Sequence, residues 1–413
     1  MKLVFFLSLG MLASGAGFGQ FRNPQKVDRD SINTITREKI LNDLDEYADG
    51  IAHKHFHPFS HIKKSVFYEQ IQLIKDSAAR YNVDELLVRL MQVNALIEDE
   101  HTNIEYITPN IFPFTFFWFE EGIYIKGTNE ENRKLLGSKL IAVNDIPVSE
   151  AVDKITTLMP DKNPQNIKSE IGRYLCDPFV LHGLQLSAAR NNVVYTFVGP
   201  ANDTLKIAPK AIDWRKIKML CECDNKKIFK NSDSSKHWFK YIDTGNYIYF
   251  KYASCYDDKQ HPFRKVEEAL VKEIDEKKPQ KIIIDMRDNG GGYPRMLWPF
   301  INSLSRSPLN KKGGIYVLIG RNTFSAGILN SVSLKDQTYA KLVGEETSGS
   351  TSFFGGVQWF VLPETKLRIM YSTGYVATSE NYKGSLKPDI IIPVTFADYD
   401  KEIDAALQYA IAH

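Results

Sequence analysis

Ser325 lies where an apolar run gives way to a helical pattern, within the segment "LIGRNTFSAGILN". The run Val317 to Ile319 predicts a strand, Gly320 to Phe324 predicts a bend, and a helix is expected to begin at Ser325. At that place a hydroxyl is near the positive end of the helix, where the helix dipole and the exposed amides stabilise a developing negative charge. Ser325 is therefore a candidate nucleophile. The alternative is that its side chain caps the helix, which is the more common role for a serine in this position.

A second candidate feature is a run of three glycines, Gly290 to Gly292, which follows the stretch "KIIIDMRDN". That stretch predicts a buried strand that ends near Asp285. Consecutive glycines suit a chain that must turn tightly and present its N–H groups to a ligand without a Cβ in the way. The run lacks the Lys-Ser/Thr of a P-loop and the G-x-G-x-x-G spacing of a dinucleotide site, so nucleotide binding is not expected.

The third candidate is His101, which stands in the polar, acidic turn of "NALIEDEHTNI". One histidine among 9 is most often a surface or capping residue. An imidazole has an unperturbed pKa of about 6.5, however, and can act as a general base near neutral pH. Each of these three stretches is ambiguous alone, and only their combination indicates a function.

The segment that must position Ser325 and the glycines has an α/β pattern, from about residue 244 to residue 413. The predicted strands "YIYFKYAS", "KIIIDMR" and "IYVLIG" alternate with the predicted helices "FRKVEEALVKEIDE" and "MLWPFINSLSR". Near-continuous apolar strands such as Ile282 to Ile284 are what a sheet buried on both faces requires.

The segment that must position His101 is helical. From Asn33 to about Ile97 the apolar residues recur at helical spacing and predict an N-terminal bundle of three helices. Gly50 is expected to end the first helix, and Asp84 is expected to cap the third. His101 follows the bundle directly.

A β-rich segment lies between these two parts. The run "IFPFTFFWFEEGIYIKG" is aromatic and β-branched, which predicts strands. After it, "LLGSKLIAVNDIPVSEAVDKITTL" predicts a strand, a turn at Asn144-Asp145 and a helix from near Ser149, an order similar to the later half of a PDZ domain. A glycine-rich carboxylate-binding loop does not precede it, so peptide binding and a purely structural role both stay open. The charged, poorly patterned segment 206–243 is interpreted as a connection.

The chain begins with "MKLVFFLSLGMLASGAGFG", which has a lysine, an apolar stretch and small residues, the pattern of a secretory signal. Its apolar part is shorter than the roughly 20 residues that a membrane span needs. We therefore expect an exported protein, periplasmic or extracellular, without a membrane span. The expected division of the chain is a signal peptide at 1–19, a helical domain at 20–105, a PDZ-like β-rich domain at 106–205, a connection at 206–243 and the α/β domain at 244–413.

The balance of charges bears on which partners are expected. The 52 Lys and Arg residues nearly balance the 50 Asp and Glu residues, so a net charge of +2 gives no reason to expect nucleic acid or an anionic membrane as a partner. The four cysteines, at 176, 221, 223 and 255, could form disulfides in an oxidising compartment, but the sequence does not give their pairing. No metal site is expected, because the C-x-C pair has neither a second pair nor a nearby histidine.

Several motifs together resemble those of carboxy-terminal-processing and tricorn-like serine peptidases, the tail-specific protease family. They are "IIIDMRDNGGG", "TFSAG" followed by "LVGEETSG", the upstream "EDEHTNI" and the late "KPDIIIP". The resemblance covers most of the chain after residue 19 and is strongest from about 245 to 395. It implies an α/β catalytic domain of the ClpP/crotonase type, preceded by a helical segment and a PDZ-like module.

The resemblance also assigns roles to residues. It makes Ser325 the nucleophile and places the oxyanion hole at the backbone N–H groups of Ala326 and of Gly290 or Gly291. One branch of the family activates its serine with a lysine, but Ser350 stands at that position here. The tricorn-like arrangement is therefore favoured, in which a histidine after the N-terminal helices acts as the base.

In that arrangement the base is His101. Relatives place a hydroxyl residue just before this histidine, where Glu100 stands, and a glutamate shortly before a "G-V-x-P-D" motif, for which Glu380 in "TSENYKGSLKPD" is the best candidate. The resemblance thus implies a secreted serine peptidase, either an endopeptidase or a carboxy-terminal-processing enzyme. It would act on peptides or proteins through an acyl-enzyme, without a metal or organic cofactor. The alternative is an inactive peptide-binding protein with the same fold.

Overall fold

The computed structural model describes residues 32–218, 220–221, 235–378 and 381–413. The predicted signal peptide, Cys223 and the candidate Glu380 lie outside these described residues. Within these ranges no helix is long and apolar enough to cross a membrane.

The N-terminal part contains three helices, as the periodicity predicts. They are α1 (Arg37–Lys54), α2 (Lys64–Ser77) and α3 (Val83–Ala95). The buried side of α1 carries apolar residues at helical spacing, including Ile40, Leu44 and Ile51. A capping box begins α3, since Asn82 and Glu85 each accept a hydrogen bond from the backbone N–H of the other.

Two expectations about helix ends are wrong, and both errors have a tertiary cause. Gly50 does not end α1, which continues to Lys54. A Cβ at Gly50 would lie 2.3 Å from Cζ of Phe360, so this glycine admits an aromatic ring against the helix. Asp84 does not cap α3 either. Its buried carboxylate accepts hydrogen bonds from Arg190 Nε at 2.7 Å and from His182 Nδ1 at 2.6 Å.

The middle part is β-rich. Its strands are β1 (Asn103–Glu105), β2 (Asn110–Ile111), β3 (Phe114–Phe119), β4 (Gly122–Thr128), β5 (Lys139–Val143), β6 (Ile146–Pro147), β7 (Tyr195–Val198), β8 (Thr204–Ile207), β9 (Ile212–Asp213) and β10 (Leu220–Cys221). Its helices are α4 (Val148–Thr156), α5 (Pro164–Leu175) and α6 (Pro178–Gly183). Seven of these strands form one sheet, in which β4, β5 and β7 are central. The predicted strand–turn–helix order is confirmed, because Asn144 and Asp145 turn the chain with φ of 49° and 64° between β5 and α4.

The C-terminal part is built on a six-stranded sheet. Its strands, with four others nearby, are β11 (His237–Ile242), β12 (Tyr247–Tyr252), β13 (Lys281–Asp285), β14 (Ile315–Ile319), β15 (Lys341–Gly344), β16 (Phe353–Gly355), β17 (Gln358–Val361), β18 (Arg368–Tyr371), β19 (Gly374–Val376) and β20 (Ile390–Ile391). Its helices are α7 (Phe263–Lys277), α8 (Trp298–Ser305), α9 (Ala326–Gln337), α10 (Phe396–Asp400) and α11 (Ala405–Ala412). The sheet order is β11-β12-β13-β14-β15-β20, and every pairing after the first is parallel.

Both faces of this sheet are buried, as the apolar strands predict. Ile282 and Ile284 belong to one core, which contains residues of α7, α8 and α9. Ile283, between them, belongs to a second core with Leu407 of α11. Side chains that alternate across a strand therefore meet a helical layer on either side.

The segment interpreted as a connection contributes an edge strand. β11 pairs antiparallel with β12 along its whole length. Most of its residues are only half-buried, because an edge strand packs on fewer neighbours. It therefore lacks the continuous apolar run by which the central strands were predicted.

The N-terminal and C-terminal parts are joined by strand pairing and by a common core. β1, directly after the helices, pairs with β18, and β18 pairs with β17. Leu362, Leu367 and Ile369 lie in the same core as α1, α2 and α3. Residues 353–376, which contain β16 to β19, thus connect the C-terminal half of the chain to β1 and to the turn that holds His101.

Candidate active site

Ser325 stands at the junction of β14 and α9 in an unusual backbone conformation. Its φ is 49° and its ψ is −121°, and its side chain makes no capping hydrogen bond to the helix. The hydroxyl Oγ lies 3.2 Å from Nε2 of His101, which is 224 positions away in the sequence. The capping interpretation is therefore wrong. Positive φ at a serine is a strained conformation of the kind found at functional sites.

Hydrogen bonds hold the bend before Ser325 against the end of β13. Thr323 Oγ1 accepts a hydrogen bond from Gly320 N–H at 3.1 Å and donates to the carbonyl of Met286 at 2.9 Å. The N–H of Phe324 donates to the carbonyl of Asn289 at 2.9 Å. The bend and the glycine loop are thus one unit, in which the serine and the glycines keep a fixed relation.

The His101 imidazole is enclosed by aromatic rings. It stacks on Phe324 at 4.9 Å and on Phe353 at 5.1 Å between ring centroids. Its side chain is only 11% exposed. Burial lowers the pKa of His101 from its usual value, and the nearby Asp99 carboxylate acts in the opposite direction. A neutral imidazole at this place can accept a proton from Ser325.

The turn that carries His101 is anchored to the helices. Tyr47 donates its hydroxyl proton to Asn94 Oδ1 at 2.9 Å, and Asn94 Nδ2 donates to the carbonyl of Thr102 at 2.8 Å. These three groups are buried. They connect α1, α3 and the residue after His101, so the position of the base depends on the packing of the N-terminal helices.

Asp99, which the sequence analysis did not identify, lies beside His101. Its Oδ1 accepts a hydrogen bond from the backbone N–H of His101 at 2.9 Å. The same oxygen is 4.0 Å from the ring nitrogen Nδ1 of His101. Its Oδ2 accepts hydrogen bonds from His55 Nε2 at 2.9 Å and from Thr102 Oγ1 at 2.5 Å. An acidic residue two positions before a histidine is too weak a sequence signal to reveal this arrangement.

The glycine loop lies against the nucleophile. The N–H of Gly291 donates to Asn289 Oδ1 at 3.0 Å, and Asn289 Nδ2 donates to the carbonyl of Tyr252 at 2.9 Å. In the part of the chain that the structure describes, the N–H groups of Gly290 and Ala326 donate to no acceptor. Of the two loop amides predicted for the oxyanion hole, Gly290 is therefore the one that is not already engaged.

We expect Gly291→Ala to impair the site strongly. Gly291 has φ of 101°, and a Cβ there would lie 2.8 Å from Cβ of Ser325 and 3.0 Å from the Ala326 nitrogen. The side chain must displace the nucleophile or the oxyanion donor, which should lower kcat by roughly 10²–10³-fold. Gly374→Ala is the matched control, because a Cβ there meets nothing within 4 Å and Gly374 is not part of the proposed oxyanion hole. Steady-state kinetics of the two folded variants checks this, and equal losses would contradict it.

The carboxyl group of Glu100 is hydrogen-bonded to Ser350 rather than to His101. Its Oε1 accepts a hydrogen bond from the Ser350 N–H at 2.9 Å. No hydrogen bond in the described ranges joins its carboxyl group to His101 or Ser325. Burial raises the pKa of Glu100 to about 8, and the charges of Asp161 and Asp99 act in the same direction. At neutral pH this side chain is therefore mainly a neutral carboxylic acid.

The raised pKa of Glu100 predicts a pH-dependent stability. The group titrates at 4.5 when exposed and at about 8 in the folded protein, so the folded state binds the proton more tightly. Its contribution to stability is complete below pH 4.5 and is lost as the pH rises through 8. Glu100→Gln, which stays neutral, should remove this component. Urea unfolding of both proteins from pH 5 to pH 9 measures it, and parallel pH curves would contradict the prediction.

No group of three or more His, Cys, Asp or Glu residues that could hold a metal ion occurs among the residues described. Cys176 and Cys255 are buried free thiols. Cys255 lies under the glycine loop, with its Sγ 3.4 Å from Asn289 Oδ1.

No protein-family model matches the chain, and no curated protein matches it. Mature CPAF in complex with lactacystin is similar, with a TM-score of 0.61 and 13% sequence identity over 91% of this chain and 97% of that chain. Mature CPAF gives a TM-score of 0.61 and 12% identity over 91% and 96%. The photosystem II D1 C-terminal processing protease gives only 0.37 and 12% over 87% and 93%. The chain therefore has the mixed α/β fold of CPAF, and the arrangement of domains that the resemblance implies stays a prediction.

Proposed function

We propose that this chain is a serine peptidase that hydrolyses peptide bonds through an acyl-enzyme, with Ser325 as nucleophile and His101 as general base. The observation that carries the proposal is the 3.2 Å contact between Ser325 Oγ and His101 Nε2. Two distant segments bring together a hydroxyl without a capping role and a buried imidazole. This pairing of a nucleophile and a base is the arrangement that acyl transfer needs.

The chemistry follows from these two groups. His101 Nε2 takes the hydroxyl proton while Oγ of Ser325 attacks the carbonyl carbon of the substrate. The carbonyl oxygen becomes an oxyanion, which the N–H groups of Ala326 and Gly290 stabilise. The imidazolium then gives its proton to the leaving amine as the peptide bond breaks. Water then attacks the acyl ester while His101 takes one of its protons. The acid product leaves, and the proton returns to Ser325 Oγ.

Substrates are peptides or proteins in this proposal. The peptidase motifs of the sequence, together with the fold shared with CPAF, support a hydrolase of this class. The net charge of +2 gives no basis for nucleic acid as a partner. Cleavage at internal bonds would indicate an endopeptidase, whereas removal of short carboxy-terminal segments would indicate a processing enzyme.

We also propose the domain arrangement and location that the sequence predicts. Residues 20–105 are the helical domain and 106–205 the PDZ-like domain. Residues 244–413 together with β11 are a ClpP/crotonase-type catalytic domain, and the signal at 1–19 is removed on export. The turn at Asn144-Asp145 between β5 and α4 supports the PDZ-like assignment. The parallel sheet between two helical layers supports the catalytic assignment.

The test is cleavage of an unfolded protein. A reduced and carboxymethylated protein is incubated with the wild-type chain, and new termini are identified by mass spectrometry. We expect new termini that are absent with Ser325→Ala. If folded wild-type protein binds the substrate but produces no termini under any condition from pH 5 to pH 9, the inactive peptide-binding alternative is correct instead.

A further inference from the structure

The buried carboxylate of Asp99 has a histidine near each of its two oxygens, and one of these histidines is the candidate base His101. Asp99 Oδ2 contacts His55 Nε2 at 2.9 Å, and Asp99 Oδ1 is 4.0 Å from Nδ1 of His101. The side chains of Asp99 and His55 are 1% and 0% exposed. A charge in such a place must be compensated by specific partners.

The partners of Asp99 favour its ionised form. Burial alone would raise its pKa, but hydrogen bonds from His55, Thr102 and the His101 N–H hold the pKa of Asp99 below its usual value. The hydrogen bonds of His55 fix its tautomer, because Nδ1 accepts a hydrogen bond from the backbone N–H of His57 at 3.0 Å and so carries no proton. A neutral His55 therefore carries its proton on Nε2 and donates it to Asp99.

The nitrogen of His101 that faces Asp99 has no partner. Nδ1 is buried and makes no hydrogen bond to any residue that the structure describes. The Phe354 carbonyl near the ring also favours protonation, but it does not reach Nδ1 with hydrogen-bond geometry. Hydrogen bonds between catalytic groups are often long before substrate binds and shorten in the complex. The distance of 4.0 Å between Nδ1 and Asp99 Oδ1 must shorten in this way for Nδ1–H to donate to the carboxylate.

We propose that Asp99 orients the base His101 and stabilises its protonated form. Asp99 fixes the backbone of His101 and accepts a hydrogen bond from Nδ1–H. Its negative charge stabilises the imidazolium that forms when His101 takes the Ser325 proton. His55 holds Asp99 in turn. This inference rests on the proposed function, because it assigns the orienting role in the same reaction. It assigns that role to a residue two positions before the base and does not depend on Glu380.

The other titratable groups near His101 do not take this role. Glu100 is bonded to Ser350 and is mainly neutral at pH 7. His55 contacts the second oxygen of Asp99. The other neighbours of the ring are Phe324 from the bend, Phe353 and the Phe354 carbonyl from β16, and the Ser325 hydroxyl. Asp99 is the one ionised group among these neighbours.

The test compares Asp99→Asn with Asp43→Asn. Asp43 is also buried, and it accepts hydrogen bonds from the N–H groups of Glu364 and Thr365 and from the Thr365 hydroxyl. Both variants replace a buried, hydrogen-bonded carboxyl group, but of the two only Asp99 contacts His101. The pKa of His101 is measured by nuclear magnetic resonance of histidine-labelled protein, with His101→Gln to assign the signal.

We expect Asp99→Asn to lower the pKa of His101 by at least about one unit and to lower kcat by roughly 10²–10⁴-fold. Asp43→Asn should leave the pKa of His101 unchanged. An unchanged pKa of His101 in folded Asp99→Asn would overturn the inference. Since the titration needs no turnover, it tests Asp99 even if the wild-type protein cleaves nothing, and the two failures can be distinguished.

A measurement on the wild-type protein covers the case in which Asp99→Asn does not fold. When His101 is protonated, a proton shared between Nδ1 and a buried carboxylate gives a strongly downfield resonance. We expect this resonance to appear as the pH falls through the pKa of His101. Its absence in wild-type protein with protonated His101 would also overturn the inference.

Discussion

Ser325→Ala is expected to lower kcat by about 10⁴–10⁶-fold, because the nucleophile is lost and water must attack the substrate directly. The fold should be unaffected. The hydroxyl makes no hydrogen bond to α9, and its described partner is His101. Alanine has the same difficulty with φ of 49° as serine, so the backbone strain does not change. Peptide hydrolysis by variant and wild type, at equal concentrations of folded protein, gives the result.

The matched control for this substitution is Ser333→Ala in the same helix. Ser333 donates its hydroxyl to the Leu329 carbonyl at 2.8 Å, within α9. Its loss should change the melting temperature slightly and leave turnover near the wild-type value. Full activity in Ser325→Ala would show that Ser325 is not the nucleophile, whatever the control shows.

His101→Gln is expected to lower kcat/KM by roughly 10²–10⁴-fold, because Ser325 loses its proton acceptor. It should also remove part of the pH dependence. The base acts only when neutral, so wild-type activity should be present above the pKa of His101 and be lost as the pH falls through it. Burial lowers that pKa from its usual value of 6.5, so the acid limb should lie below 6.5.

His61→Gln is the control for the histidine substitution. The His61 side chain is 48% exposed and pairs with Glu98 at the surface, so its loss should not alter the profile. Activity profiles from pH 4 to pH 9 compare the three proteins. An unchanged acid limb in His101→Gln would show that another group is the base.

The sequence predicted the C-terminal sheet well because burial on both faces leaves a strong signal. Strands such as Ile282 to Ile284 must be apolar at every position to meet two helical layers. The place of Ser325 at the start of a helix followed from the same pattern. The strand at His237–Ile242 was missed because an edge strand carries no such constraint.

Features that depend on distant contacts could not be predicted from local pattern. Gly50 reads as a helix end, but its role is to admit the Phe360 ring from a strand far along the chain. His101 meets Ser325 because β1 pairs with β18, which periodicity does not indicate. Only the family resemblance predicted that meeting. Asp99 was missed because its burial beside the base depends on a hydrogen bond with His55, which is 44 positions away in the sequence.

The most direct test of the proposed mechanism is covalent labelling with a fluorophosphonate, which reacts with an activated serine hydroxyl. Intact-protein mass spectrometry counts the adducts, and peptide mapping locates them. We predict one adduct on Ser325 in wild-type protein, a much slower reaction in His101→Gln and none at this position in Ser325→Ala. A folded wild-type protein that gains no adduct at Ser325, or that is labelled equally fast without His101, would contradict the proposed pairing of nucleophile and base.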